Sequence, residues 1–469
     1  MHPITFGTDG WRAVIADSYT FENVELVARA TGQWILRTFP DKLRAVVGYD
    51  TRFLGAEFAD LTARVLASQG IHVRLADSFV TTPAVSWAAR EYDCAAGIAL
   101  TASHNPPRYG GFKLKTHRGG PADPQMVAEV EAELERLDSG FALRSRAELD
   151  REGLIETFNL RTGYSFVLQD RLDIDGIRKS GLKIGCDPMY GAGIGIVSEL
   201  LGTRNVVEVH DDHNPGMQGQ APEPIERNLQ YLSRVVREER CDVGLAFDGD
   251  ADRIGMVDEE GRFVDPHKIL ALLVKYLHEE RRLNGGIIKT FSTTDMLDRM
   301  AEAYGLPLET TKIGFKYIAP KILDGDVLVA GEESGGIAVK GHVPERDGIY
   351  IGLMIVEMMV HSGKKLSELV EDLQSEFGPL FYARDDLHTT PEKKERFLAR
   401  LAQEGISVVE GERVVSTENL DGVKVRFDDG WLMFRPSGTE PVLRIYAEAS
   451  SRERVEGLVA AGVGLVEAS

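Results

Sequence analysis

Three aspartates stand on alternate residues, Asp248, Asp250 and Asp252, separated only by Gly249 and Ala251. Carboxylates that close repel one another, and a hard divalent cation with oxygen ligands removes the repulsion. The small spacers let the chain curl so that the three groups converge, and Arg253 follows as a guanidinium suited to a phosphate beside the metal. Counted from Asp248, Glu259 completes a near-match to a calcium loop. Arg253 however stands where that loop needs glycine, and an apolar strand rather than a helix precedes it. A second segment, Thr101-Ala-Ser103-His104-Asn105-Pro106-Pro107, places a serine and a histidine after another apolar strand and stiffens the exit with prolines. His104 can donate to an anion or orient it. No Gly-x-Ser-x-Gly elbow surrounds Ser103, so by itself the segment fits either a reactive serine or an ordinary polar turn. The segment Gly331-Glu332-Glu333-Ser334-Gly335-Gly336 fits a grip on sugar hydroxyls, with glycines for close approach, or a flexible acidic loop. In Phe434-Arg435-Pro436-Ser437-Gly438-Thr439-Glu440-Pro441, a guanidinium, two hydroxyls and a turn form a cradle for a non-transferring phosphate. A Walker loop is absent from the sequence, and the glycines at 191, 193 and 195 miss the dinucleotide fingerprint because residue 196 is Ile.

Each of these segments needs an element to carry it. Short apolar stretches, Arg44–Tyr49, Cys94–Leu100, Leu182–Cys186, Asp242–Phe247, Gly286–Lys289 and Asp326–Ala330, read as buried strands. Helical spacing lies between them, as over Ala56–Gln69 before Gly70. Strands alternating with helices predict α/β domains, in which ligands sit beyond the carboxyl ends of strands. The expected divisions are 1–150 with the serine loop, 151–256 with the acidic loop, 257–378 with the sugar loop, and 379–469 with the phosphate cradle. The last differs from the rest, with strands at Gly422–Phe427, Trp431–Phe434 and Leu443–Ala447 and a helix from Glu453, which predicts an α+β meander.

At roughly 100–200 residues per domain, 469 residues accommodate this plan. The 74 acidic against 54 basic residues leave a formal charge of −20, so neither nucleic acid nor an anionic membrane is an expected partner. An anionic small molecule requires cations concentrated at its site. The three cysteines, Cys94, Cys186 and Cys241, lie apart in apolar contexts, as free thiols in a reducing compartment would. With the polar opening Met1-His2-Pro3-Ile4-Thr5 and no apolar run of about 18 residues, the expectation is a cytoplasmic protein.

Taken in order, the four segments resemble the α-D-phosphohexomutase superfamily of phosphoglucomutases, phosphomannomutases and phosphoglucosamine mutases. The resemblance runs from Phe6-Gly-Thr-Asp-Gly-Trp-Arg12 to Arg435-Pro-Ser-Gly-Thr439. It implies three similar mixed-sheet α/β domains and a C-terminal α+β domain around a central cleft. It also implies that Ser103 carries a phosphoryl group touching one Mg²⁺ held by Asp248, Asp250 and Asp252, and that hexose 1,6-bisphosphate is the intermediate and activator. Lys113 is similar to the family's general acid/base lysine, with Arg12 and His104 beside it. Lys289 is similar to a substrate-contacting lysine, Glu332 and Ser334 to the sugar-gripping pair, and Arg435, Ser437, Gly438 and Thr439 to the distal phosphate clamp, with Arg253 on phosphate. Sugar phosphates are thus the implied partners, acting on a monomer or a homodimer.

Two departures bear on the sugar. Many bacterial glucose and mannose enzymes carry His where this chain has Gly336, and His342 lies six residues on as a possible substitute. Phosphoglucosamine mutases typically carry Gln where this chain has Glu333. Glucose and mannose phosphates are the expected substrates and glucosamine phosphate the alternative. A phosphatase, or a non-catalytic protein binding sugar phosphate or calcium, are the readings from other classes.

Overall fold

The computed structural model describes residues 4–7, 9–436 and 442–468. The chain forms three α/β domains with mixed sheets and a C-terminal α+β domain, gathered into two compact units. One unit comprises Met1–Gly286 and Gly314–Leu369, the other Ile287–Ile313 and Val370–Ser469.

The first unit begins with a six-stranded sheet. Its middle is parallel: Ala96–Leu100, Arg44–Tyr49, His72–Ala76 and Ile155–Phe158 lie side by side. Valines, alanines and isoleucines fill the two inner strands, Ala96–Leu100 and Arg44–Tyr49, as burial on both faces demands, while the outer pair, with His72, Arg74, Glu156 and Thr157, alternates with polar residues. Tyr109–Thr116 and Trp11–Val14 then add antiparallel, with Lys113 opposite Ala99 and Arg12 opposite Gly111. Lys113 and Lys115 share one strand face, since side chains alternate along a strand, and both are buried. The helix Gly55–Ser68 closes as the sequence predicts, with Gly70 at φ +86° beyond it. The apolar face of this helix packs into the core formed by Val65, Leu66, Val47, Ile98 and Phe112.

A five-stranded sheet follows. Val243–Phe247 is buried throughout, parallel to Ile184–Asp187 and antiparallel to Ile254–Asp258. The acidic segment is therefore the turn of a buried hairpin, not the loop of a helix–loop–helix. Glu259, the twelfth position of the calcium pattern, accepts from Ser367 Oγ at 2.5 Å instead. In the same unit, Val327–Gly331 pairs antiparallel with Ile337–Val339, and residues 332–336 form the turn between them. The helix Gly348–Ser362 is apolar almost all round and buried along nearly its whole length. Asp347 caps it by accepting from the Tyr350 amide.

In the second unit, residues 287–290 run parallel to Leu308–Thr311. The C-terminal sheet is an antiparallel meander, Ser416–Glu418, Val423–Arg426, Gly430–Pro436 and Val442–Ala449, covered by the helix Arg452–Glu467. Its far edge, Phe381–His388, escapes the sequence reading. It carries Arg384, Asp385 and Asp386, and an edge strand pairs on one side only and tolerates charges facing water.

Candidate active site

Ser103 lies three residues past the buried strand Ala96–Leu100, at 1% exposure and with φ +52°. A non-glycine residue in the left-handed region costs on the order of 1–3 kcal/mol and persists where its surroundings over-determine it. Arg52 supplies much of that constraint. Its guanidinium donates to four carbonyls of the serine loop: Ser103 (2.6 Å), Asn105 (2.6 Å), Pro106 (2.9 Å) and Tyr109 (3.0 Å). Asp50 holds Arg52 Nε at 3.1 Å and takes the Thr101 hydroxyl at 2.5 Å. Thr101 Oγ1 in turn accepts the Ser103 amide at 2.9 Å. Burial pushes the Asp50 carboxyl up to about 6 despite the opposing pull of Arg52.

Ser103 Oγ donates to Asp248 Oδ2 at 2.7 Å, although 145 positions separate the two residues. The hairpin turn approaches so closely that a Cβ on Gly249 would meet the Ser103 carbonyl oxygen at 2.5 Å, so only glycine fits there. Asp248, Asp250 and Asp252 are fully buried, and one ligand atom from each falls within 4.8 Å of the others. Asp248 Oδ1 accepts the amides of Asp252 and Arg253 at 2.9 and 3.1 Å. Asp250 Oδ2 is taken by Thr82 Oγ1 (2.5 Å) and Lys113 Nζ (2.8 Å), and Asp252 Oδ2 by Lys113 Nζ (3.1 Å) and Arg346 (2.9 Å). Asp250 Oδ1 and Asp252 Oδ1 are buried with no hydrogen-bond partner among the described residues. Three clustered carboxylates, two of them with one oxygen tied down and the other left without a hydrogen bond, fit a hard divalent cation with an ordered outer shell. Burial, then the neighbouring Asp252 and Asp250, drive the Asp248 carboxyl well above its ordinary range. That is the repulsion such a cation relieves.

Cations surround the serine and the triad. Lys113 Nζ, fully buried, pairs with Asp9 at 2.9 Å as well as with the two aspartates. Burial opposes its charge, but Asp250, Asp252 and Asp9 overcome this and keep Lys113 protonated. Arg12 donates to Asn105 Oδ1 at 2.6 Å. His104 Nδ1 lies 3.4 Å from Ser103 Oγ. Burial, then Arg253, Arg12, Lys113 and Arg52, hold its ring well below the usual histidine range and hence neutral. Arg253 Nε is buried with no hydrogen-bond partner among the described residues, as a phosphate ligand would leave it.

Glu332 is buried on the turn 332–336, accepts the Gly314 amide at 3.0 Å and lies 4.0 Å from Arg346. Burial raises its carboxyl to about 7. Ser334 is half-buried on the same turn. His342 does not substitute for a side chain at 336. Its Nε2 meets Asp347 at 2.8 Å, its Nδ1 meets Arg171 at 2.7 Å, and its ring stacks on Tyr350 at 4.1 Å.

The remaining expected residues belong to the second unit. Lys289 Nζ donates to the Thr294 carbonyl at 3.0 Å and pairs with Asp295 and Asp298. Arg435 Nε meets Asp421 at 3.2 Å, and Asp421 also accepts the Ile313 amide at 2.9 Å. Ser437, Gly438 and Thr439 lie outside the described residues.

Five contributors escape the sequence reading: Asp9, Asp50, Arg52, Thr82 and Arg346. Asp9 sits inside the N-terminal motif, three residues before Arg12, and Arg52 two residues past a strand's carboxyl end. Those placements were the available signals. Thr82 and Arg346 gave none, because their partners lie 168 and 337 positions away in sequence.

The four domain descriptions of the phosphoglucomutase/phosphomannomutase family match in order: alpha/beta/alpha domain I over residues 3–140, domain II over 163–261, domain III over 265–377 and the C-terminal domain over 390–463. A phosphoglucomutase/phosphomannomutase of Thermococcus kodakarensis is 33% identical, covering 98% of each chain. A phosphoglucosamine mutase of Caldicellulosiruptor bescii is 31% identical, again over 98% of each. The crystal structure of a protein assigned as a phosphomannomutase, from Thermus thermophilus, superposes with a TM-score of 0.86 at 34% identity over 99% of both chains. The chain therefore belongs to the phosphoglucomutase/phosphomannomutase family of intramolecular phosphotransferases.

Proposed function

We propose that this protein interconverts hexose 1-phosphates and hexose 6-phosphates of the glucose and mannose series, with Ser103 as the phosphate carrier. The observation that carries the reading is Ser103 Oγ at 2.7 Å from Asp248 within a buried carboxylate triad. In the first half-reaction the bond from phosphorus to the Ser103 oxygen breaks and a bond to the free sugar hydroxyl forms. The hydroxyl's proton ends on the serine oxygen. In the second half the bond from phosphorus to the other sugar oxygen of the hexose 1,6-bisphosphate breaks, a bond to the Ser103 oxygen forms, and the serine proton ends on the freed sugar oxygen. Asp248, Asp250 and Asp252 are the residues that would hold Mg²⁺, which when bound supplies Lewis-acid charge to the phosphoryl oxygens. Arg12 and Arg253 offset charge on the same phosphate, the main demand of phosphoryl transfer. Neutral His104 and charged Lys113 are the acceptor and donor for the travelling proton. Glu332 and Ser334 take sugar hydroxyls. Lys289, Arg435, Ser437, Gly438 and Thr439 are assigned to the sugar and the non-transferring phosphate. The domain divisions at 150, 256 and 378 belong to the same proposal.

The test is conversion of glucose 1-phosphate and mannose 1-phosphate to the 6-phosphates with Mg²⁺ and a trace of bisphosphate. Inorganic phosphate stays at background. Phosphate release at a rate matching sugar turnover would mean a phosphatase instead. Higher kcat/KM on glucosamine 1-phosphate would move the substrate to the runner-up, a reading that the Caldicellulosiruptor bescii relative keeps open.

The Glu332 value near 7 makes a further prediction. The ionised carboxylate accepts from sugar hydroxyls, and as pH falls through about 7 it gains a proton and loses part of that capacity. KM for glucose 1-phosphate rises from pH 8 to pH 6 by roughly three- to tenfold, about tenfold being the ceiling that one group titrating near 7 sets across that window. The substrate phosphate titrates in the same range, so Glu332→Gln is the control. Its KM should be higher at pH 8 and flatter with pH, and an unchanged pH profile would remove Glu332 from the binding step.

A further inference from the structure

The turn 332–336 and the acidic hairpin are joined directly. Gly336 forms a backbone bridge with Arg253, and the Ile254 amide donates to the Gly335 carbonyl at 3.1 Å. The residue one before Arg253 is Asp252. A side chain links the same two loops. Arg346 is 4% exposed, and its NH2 meets Asp252 Oδ2 at 2.9 Å and Asp9 Oδ2 at 2.7 Å. Its Nε meets Glu345 at 3.4 Å, its NH1 lies 4.0 Å from Glu332, and its guanidinium covers the Phe315 ring at 5.2 Å. The arginine is thus pinned at its head by carboxylates from three separate segments.

Its stem explains Gly336. That glycine is not in the left-handed region, so its backbone would accept any residue. A Cβ there would however fall 2.5 Å from Arg346 Cδ and 3.1 Å from Cγ. With the head held, the stem cannot swing aside without drawing the guanidinium from its partners.

We propose that Arg346 is a positioning residue that aims Asp252 at the metal, and that Gly336 is bare because Arg346 occupies the space of its side chain. A substitution on the sugar turn then weakens metal binding before any sugar is present. Arg346 ties Asp252 Oδ2 at 2.9 Å and leaves Oδ1, buried and without a hydrogen bond among the described residues, as the oxygen available to a cation. Outer-shell partners of this kind are worth about 10–100-fold in metal affinity. The inference rests on the triad being the Mg²⁺ site.

The experiment is calorimetric titration of the full-length, sugar-free chain with MgCl₂, repeated with MnCl₂ observed by electron paramagnetic resonance. Gly336→Ala should weaken binding about tenfold, and Arg346→Lys, which keeps the charge but loses the fork, by a similar factor. The double variant should match Arg346→Lys alone, because the alanine acts only through the arginine. Thermal unfolding of each metal-free protein confirms that it is folded at the titration temperature, where general loosening does not move a dissociation constant. Gly336→Ala binding Mg²⁺ within about twofold of the parent, or effects that multiply in the double variant, would overturn the proposal. A parent protein that binds neither ion at millimolar concentration would refute the metal assignment itself, and this inference with it.

Discussion

Ser103→Ala should abolish exchange between hexose 1-phosphate and hexose 6-phosphate, by on the order of 10⁴-fold or more, as expected when a covalent carrier is removed. In the proposed cycle the Ser103 oxygen gives up the phosphoryl group in the first half-reaction and takes one back in the second, and water does not restore the phosphate to the sugar. The fold should survive. Ser103 Oγ makes one short bond, to Asp248, and the brace from Arg52 and Thr101 acts on backbone atoms that alanine retains. The check is paired. Radiolabelled glucose 1,6-bisphosphate should label the parent protein and leave the variant unlabelled, while the unfolding midpoint stays close to the parent's. Near-normal turnover by the alanine variant would end the carrier assignment.

Arg52→Met should give the largest loss of stability together with a loss of rate. Methionine keeps much of the stem volume and removes the donors to four carbonyls and the partner of Asp50. Breaking one side of a buried ion pair costs about 3–5 kcal/mol. The pH dependence has a definite sign. The folded Asp50 carboxyl, near 6, lies above its unfolded value of 3.8, so its ionisation opposes folding as pH rises through that window. Without Arg52 the folded value climbs further and the window widens upward. The destabilisation relative to the parent should therefore be larger at pH 8 than at pH 5, by denaturant midpoint. At a temperature where the variant is folded, kcat should fall about 10²-fold with KM little changed, because the arginine sets the serine's position and not the sugar's. Arg52→Lys should restore much of the stability by keeping the charge beside Asp50, but little of the rate, since an ammonium cannot reach four carbonyls. Equal rescue of both would mean that Arg52 is merely structural.

The chemistry of this chain was legible locally and its assembly was not. Alternate aspartates spaced by Gly249 and Ala251 announce a cation site from six residues, because like charges that close demand an explanation within the segment itself. The apolar strands before Thr101, Asp248 and Gly331 likewise announce parallel α/β construction and place their loops at strand ends. Ser103 in isolation remained ambiguous, and its partner Asp248 stands in another domain. The same applies to Thr82 on Asp250 and to Arg346 on Asp9 and Asp252.

Composition and spacing act over a few residues, so they suffice to name the candidate groups, their order and the class of element carrying each. The folded arrangement settles which carboxylate oxygens lack a hydrogen bond among the described residues, that Lys113 is held charged and His104 neutral, that His342 is turned to Asp347 and Arg171, and that Gly336 makes room for Arg346. Those outcomes depend on burial, Coulomb forces and steric exclusion between segments far apart in the chain, and such terms have no value until the fold brings the segments together.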